Sequence, residues 1–319
     1  MISSREDAAL TAALVFIVTA GVVLTWCLVY RLLILNGRLL VRIDELDPRA
    51  VETPPRPFGN LEWRNRFEFD NIVAPIMALD EYELGTERFL ASDVIVDVGA
   101  HIGSFARLCH DRGSRAIYCY EPDDSNFRLL TRNVGSLPGV HLLQAAVWRS
   151  DMSAGDEEPV LSLSGPADDN TGAPSVVADG RMVDYATQRV GEVSTGARRV
   201  TAVGLDELLL KHEQVRLLKL DCEGSEFPIV LTSRHLHKAR RIVGEVHELT
   251  GLMMASLSPN SRIVGWPEYR AETLVSKLES EGFRVRLRST SSHLFLFSAD
   301  RDISHQDAAA VVASGPESA

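Results

Sequence analysis

The residues best placed to do chemistry fall into four short groups: Asp97-Val98-Gly99-Ala100-His101-Ile102-Gly103, Glu121, Asp221-Cys222-Glu223 and Glu245-Val246-His247. Each follows or ends an apolar run. The first group follows Val94-Ile95-Val96 and reads as a buried parallel strand, a tight turn and a helix start. Glycine at 99 and 103 lets the backbone approach a ligand and lets helix pack on strand. Glu121 stands about 20 positions further on, at the end of the next apolar run, where a carboxylate is expected to accept both hydroxyls of a ribose. Asp221 and Glu223 sit at a strand-to-helix turn, on the carboxyl edge where open α/β sheets bind ligands. They can orient a substrate hydroxyl, act as a base or hold a divalent ion; alternatively Glu223 or Glu226 caps backbone amides near the helix start. Lys219, in the same apolar run, needs a charged partner and can pair with one of them. Glu245 and His247 are two apart on one strand and share a face. His247 is either a general base near neutral pH or a hydrogen-bonded structural histidine. Ala145 and Ala146 end the third apolar run, where small residues can floor an adenine or simply let a helix pack.

These groups need a sheet to hold them. Strands are expected at Val94–Val98, Ala116–Tyr120, Val140–Val147, Val215–Leu220, Arg241–Val246, Phe283–Leu287 and His293–Phe297. Helices fit Gly103–Arg112, Asp124–Val134 with Asp124 or Ser125 as cap, a stretch from about Ser225 with Pro228 in its first turn, and Glu268–Glu281. The alternation predicts a doubly wound, mostly parallel, seven-stranded Rossmann-like sheet with an antiparallel edge strand, because the last two strands are joined by a short polar link. Leu61–Leu90 reads as a lead-in helix and hairpin covering the sheet edge. Residues 150–199, rich in Asp, Gly and Ser, break the rhythm as a β excursion or insertion.

At the N-terminus, Ala8–Tyr30 carries no charge over 23 residues, enough to cross ~30 Å of hydrocarbon. The segment before it holds Arg5, Glu6 and Asp7 and lacks the positive character of a signal peptide, so an uncleaved transmembrane anchor is expected. Arg31, Arg38 and Arg42 follow the span, which places the C-terminal side in the cytoplasm. The domain plan is then an anchor at 8–30, a juxtamembrane segment and Pro-rich linker at 31–60, a catalytic domain at 61–300 and a disordered tail at 301–319. The net charge of −11 argues against a nucleic-acid groove. Four scattered cysteines without CxxC spacing fit buried thiols in a reducing compartment.

Two cofactors suit such a sheet. A nicotinamide enzyme shows GxGxxG, which this turn lacks. Asp97 before the first glycine can instead bind the amino or carboxylate end of S-adenosylmethionine, and the turn is closer to the D-x-G-x-x-x-G of class I methyltransferases. The chain resembles the FkbM family of S-adenosylmethionine-dependent methyltransferases over roughly Ile95 to Phe297. The matching pieces are VDVGAHIGSF; Tyr120-Glu121-Pro122 with Asn126, Phe127, Leu130 and Asn133; Asn170-Thr171-Gly172 with Leu205-Asp206-Glu207-Leu208; and Lys219-Leu220-Asp221-Cys222-Glu223-Gly224-Ser225-Glu226. The last octad is the most specific. His101 stands where the family often has Asn, Cys222 where it often has Val, and Ser225 where it often has Ala. The resemblance implies S-adenosylmethionine held by Asp97, Gly99, Ala100, His101, Gly103, Glu121, Ala145 and Ala146. It also implies an oxygen acceptor on a saccharide, glycolipid or secondary metabolite, served by Asp221, Glu223, Glu245 and His247. A nicotinamide-dependent oxidoreductase and a non-catalytic S-adenosylmethionine-binding scaffold are the alternatives.

Overall fold

The computed structural model describes residues 58, 60–152, 160–164, 174–184, 189–193 and 197–301. The anchor at 8–30, the linker before residue 58, Asn170-Thr171-Gly172 and the tail after residue 301 lie outside the described residues. Among the described residues no helix is long and apolar enough to cross a membrane.

A seven-stranded sheet carries the domain. Its strands are β1 (Val94–Val98), β2 (Ala116–Tyr120), β3 (Val140–Leu143), β9 (Leu217–Leu220), β10 (Arg241–His247), β11 (Arg284–Ser289) and β12 (Leu294–Asp300). Their order across the sheet is β11-β12-β10-β9-β1-β2-β3. Parallel pairing joins β3, β2, β1, β9 and β10, whereas β12 runs antiparallel to both β10 and β11. The reversed strand is therefore internal, a correction to the expected antiparallel edge. The short turn after β11 sends β12 back into the slot beside β10 and leaves β11 outermost. Ile95, Val96, Val98, Leu217, Leu218 and Leu220 are all buried, so the central strands read as continuous apolar runs rather than alternating ones.

The helices follow from the same logic. α1 (Ser104–Asp111) begins after Gly103, which adopts φ +93°, and α2 (Asp124–Val134) buries Leu129, Leu130 and Val134. Its cap is Asp123, one residue earlier than expected, whose side chain accepts from the Ser125 and Asn126 amides at 2.8 and 2.9 Å. Also present are α3 (Leu205–Leu210), α4 (Glu226–Thr232), α5 (Gly251–Ser256) and α6 (Ala271–Ser280). Pro228 lies near the start of α4 as required.

Two regions depart from expectation. The third run splits: β3 stops at Leu143, and β4 (Ala146–Trp148) leaves to pair parallel with β8 (Arg198–Gly204). β8 also pairs antiparallel with β5 (Val160–Leu163), and β6 (Arg181–Asp184) pairs with β7 (Arg189–Val193), so the described residues between 150 and 199 include the strands of a β excursion. The lead-in forms a helix over Arg66–Glu68, a π turn at Phe69–Val73 and a further helix at Ala74–Ala78, but no hairpin. Instead of the sheet edge, it covers a sheet face: Ile76, Tyr82, Leu84 and Phe89 share a core with Ile95, Phe105 and Leu217.

Candidate functional site

A cleft of about 900 Å³ opens at the carboxyl ends of β1, β2, β9 and β10. Gly99, Ala100, His101, Glu121 and Ala146 line one part of it, and Asp221, Glu223, Glu245 and His247 line the same cavity. The four residues expected to serve the acceptor are thus brought together from two strand ends far apart in sequence.

The turn after β1 is fixed from several sides. The Gly99 and Ala100 amides both donate to the Tyr120 carbonyl at 3.0 Å. Gly99 has φ +75°, and a Cβ there would lie 1.8 Å from the Asp221 carbonyl oxygen. Its glycine is therefore demanded by the neighbouring strand end. His101 has φ +50°, a region that Asn and His tolerate better than most residues. Its amide donates to Glu121 Oε2 at 2.8 Å. Its ring lies 3.5 Å from the buried Glu68, and burial pushes the imidazole down to about 4, so it is neutral near pH 7.

Glu121 is enclosed, 5% exposed. Its Oε1 accepts from the Asp123 amide at 2.9 Å and its Oε2 from the His101 amide. Asn126 Nδ2 also donates to Oε1, at 3.4 Å, so it is Oε2, with two lone pairs and one donor, that retains capacity for a ligand hydroxyl. Burial outweighs those hydrogen bonds and raises the carboxyl to about 7. Beside the turn, Ser104 Oγ is buried on the cleft wall without a hydrogen-bond partner in the described structure, which leaves a polar atom aimed at a ligand.

Three expectations for the cofactor side are corrected. Asp97 does not line the cleft: it is 0% exposed, and its carboxylate lies beneath the turn, 3.3 Å from Lys219 Nζ. The parallel register sets the two opposite each other, Asp97 against Lys219, and that is what turns the acid inward. Gly103 is not on the wall either; a Cβ there would meet Leu130 and Val134 of α2 at 2.9 and 3.2 Å, so its role is helix packing. Ala145 falls in the bend between β3 and β4, and Val147 lines the cleft with Ala146 in its place.

The other half is strongly acidic. Asp221 Oδ2 accepts from the Tyr82 hydroxyl at 2.8 Å and lies 3.7 Å from Lys219 Nζ. Burial would raise its pKa, but Lys219 and His247 outweigh this and hold it below the usual carboxylate range. Lys219 itself donates to the Gly99 carbonyl at 2.6 Å; burial alone would lower its pKa, yet Asp97 and Asp221 hold it above normal. His247 is 3% exposed, with Nε2 at 3.4 Å from Glu223 and 3.7 Å from Glu245, and Nδ1 at 3.3 Å from Glu226. Burial opposes its charge, but Glu223 and Glu226 raise its pKa well above the ordinary value. Set among these carboxylates it is an imidazolium, a donor and counter-charge rather than the general base the strand pattern allowed. Burial raises Glu223 to about 8 and Glu245 to about 7, and Glu81, from the lead-in, to about 8.

Glu81 and Tyr82 were not legible as site residues. They lie in a connecting stretch without a motif, and only the fold brings Glu81 to the cleft and the Tyr82 hydroxyl to Asp221. Glu226, read as a possible helix cap, does accept from the Cys222 amide at 2.8 Å while also facing His247.

The methyltransferase FkbM domain family matches residues 97–285. No curated protein matches the sequence. Among solved structures, magnesium protoporphyrin IX methyltransferase from Synechocystis is 12% identical, with 78% of this chain and 89% of that chain covered at a TM-score of 0.34. A SAM-dependent methyltransferase from Aquifex aeolicus is 12% identical, covering 74% and 93% at 0.34. An rRNA methylase from Streptococcus thermophilus is 8% identical, covering 70% and 94% at 0.38.

Proposed function

The chain belongs to the FkbM family of S-adenosylmethionine-dependent methyltransferases, and from that premise we propose that it methylates a hydroxyl of a saccharide, glycolipid or secondary metabolite. The observation that carries this reading is the division of one cleft into two parts. One has a carboxylate with spare acceptor capacity beside a glycine turn, and the other has three acidic side chains around an imidazolium, with Asp221 on the same wall.

S-adenosylmethionine, when bound, supplies an already activated methyl group on sulfur. The residues that fit it are Glu121 for the ribose hydroxyls, the Gly99–His101 turn and Ser104 for the methionine end, and Ala146 and Val147 for the apolar base. Beyond that, the protein aligns and excludes water. Asp221, Glu223 and Glu245 can orient the acceptor hydroxyl, and one of these carboxylates takes its proton as the oxygen–carbon bond forms and the carbon–sulfur bond breaks. His247 holds the carboxylates in place through its ring nitrogens.

The test is calorimetric titration of S-adenosylhomocysteine into the full-length chain. Glu121→Gln keeps the volume but loses the charge, and each hydrogen bond to a charged group contributes about 1.5–3 kcal/mol. A loss of affinity of at least tenfold is expected (~1.4 kcal/mol). No binding by folded wild-type protein would overturn the reading, and binding without turnover on any hydroxylated acceptor would favour the scaffold alternative.

The same titration has a pH signature. A diol donates to the carboxylate form of Glu121, so binding releases the proton that this group holds below about 7. Affinity is expected to rise from pH 6 to pH 8 and to lose that dependence in Glu121→Gln; equal slopes in both proteins would place the ribose elsewhere.

We further propose that the domain is held at the cytoplasmic face of a membrane. The uncharged run at 8–30 and the arginines after it support this, and protease protection of the domain in sealed inverted vesicles would count against it.

A further inference from the structure

Glu226 is 0% exposed, yet its Oε2 has no hydrogen-bond partner in the described structure. Its other oxygen is occupied, taking the Cys222 amide at 2.8 Å and facing His247 Nδ1 at 3.3 Å. Next to it, Ser225 Oγ is 1% exposed, lines the cleft and likewise has no partner. Enclosed polar atoms without partners cost about 1–3 kcal/mol each, more for charged groups, unless a ligand satisfies them.

These two atoms lie beside a set of metal-type donors. One ligand atom each from Asp221, Glu226 and His247 falls within 4.8 Å of the others, and the three residues come from the end of β9, the first residue of α4 and the end of β10. Convergence from three rigid elements is what a preorganised coordination site requires. The neighbouring charge points the same way. Glu223 and Glu245 add two carboxylates within 3.7 Å of the imidazole, while Lys219, 3.7 Å from Asp221, is shared with Asp97. We propose that Asp221, Glu226 and His247 bind a first-row divalent cation of the manganese type, at the acceptor end of the cleft. Two carboxylates and an imidazole form an oxygen- and nitrogen-donor set, which suits Mn²⁺ better than the all-oxygen preference of Ca²⁺. The cation competes with the proton for the imidazole nitrogen, as it does at every histidine ligand. It leaves coordination positions open toward the cleft, where Ser225 and an acceptor hydroxyl can reach it.

The probe is Mn²⁺ itself, titrated into the full-length chain in detergent and read by the loss of the free-ion electron paramagnetic resonance signal. S-adenosylhomocysteine binding is measured in parallel. One bound Mn²⁺ per chain at sub-millimolar metal is expected, weakened at least tenfold in Glu226→Gln. Asp221→Asn is the second variant, because its side chain is partly exposed and tolerates loss of charge if Glu226→Gln does not fold. The proposal is overturned if folded wild-type protein leaves millimolar Mn²⁺ free. It is equally overturned if a folded variant binds the ion as well as wild type. Mn²⁺ binding without S-adenosylhomocysteine binding would uphold the metal site and sink the methyl-transfer reading; the reverse result would sink only the metal site.

Discussion

Lys219→Met is expected to destabilise the domain by about 3–5 kcal/mol, a large part of the ~5–15 kcal/mol that usually holds a domain folded. Lys219 is 3% exposed and lies between Asp97 at 3.3 Å and Asp221 at 3.7 Å, with its ammonium donating to the Gly99 carbonyl. Methionine keeps the length and apolar character of the stem, so the loss isolates the charge. What remains is Asp97, fully enclosed and without its cation. Its pKa is already raised by burial, against the lowering influence of Lys219, and removing the lysine raises it further. The sign follows: an acid whose folded pKa lies above its unfolded value keeps its contribution at low pH and loses it as pH rises. The variant should therefore be closest to wild type near pH 5 and worst near pH 8. Urea denaturation at the two pH values measures this, and Asp97→Asn added to Lys219→Met should recover much of the loss. A cost below about 1 kcal/mol at pH 8 would show the pair to be dispensable.

Gly99→Ala is the second large effect. A residue with a Cβ at a left-handed φ such as +75° costs roughly 1–2 kcal/mol. Here the added carbon would also stand 1.8 Å from the Asp221 carbonyl oxygen, a backbone atom that no rotamer change can move. Forcing β1 and β9 apart adds about 1–3 kcal/mol, for a total near 3 kcal/mol. The turn also sets the His101 amide against Glu121, so S-adenosylhomocysteine affinity should fall with stability. Gly85 provides the control: it has φ +53°, and a methyl group added there would meet nothing within 4 Å, so Gly85→Ala should cost only the backbone strain. Equal losses at the two glycines would mean that conformation, and not the contact with Asp221, decides position 99.

The parts of the fold that were legible share one property: a local pattern sufficient to specify them. β1, β2, β9 and β10 are short apolar runs ended by Gly, Pro or acidic residues, and being buried on both faces they could hardly be anything else. The β11–β12 hairpin followed from its short link. The strands within the excursion could not be placed from sequence because β8 is held by partners about 40 and 55 positions earlier, and its own sequence, Arg-Arg-Val-Thr-Ala-Val-Gly, carries little period. The inward turn of Asp97 was hidden for a similar reason. An acid before a glycine turn looks ligand-facing until the register sets a lysine opposite it.

From residue types and spacing alone came the nucleotide-binding sheet, the carboxylate meant for a ribose and the gathering of Asp221, Glu223, Glu245 and His247 at one edge, because strand period and turn chemistry are local. Tertiary structure alone decided the protonation of those groups and which of them face the cleft. Charge state depends on burial and on neighbours within a few ångströms, and these arrive from distant chain. Tyr82, 139 positions away, donates to Asp221; Glu223 and Glu226 close around His247 and keep it charged; and the enclosure of Glu121 lifts a carboxyl into the range where pH can govern it.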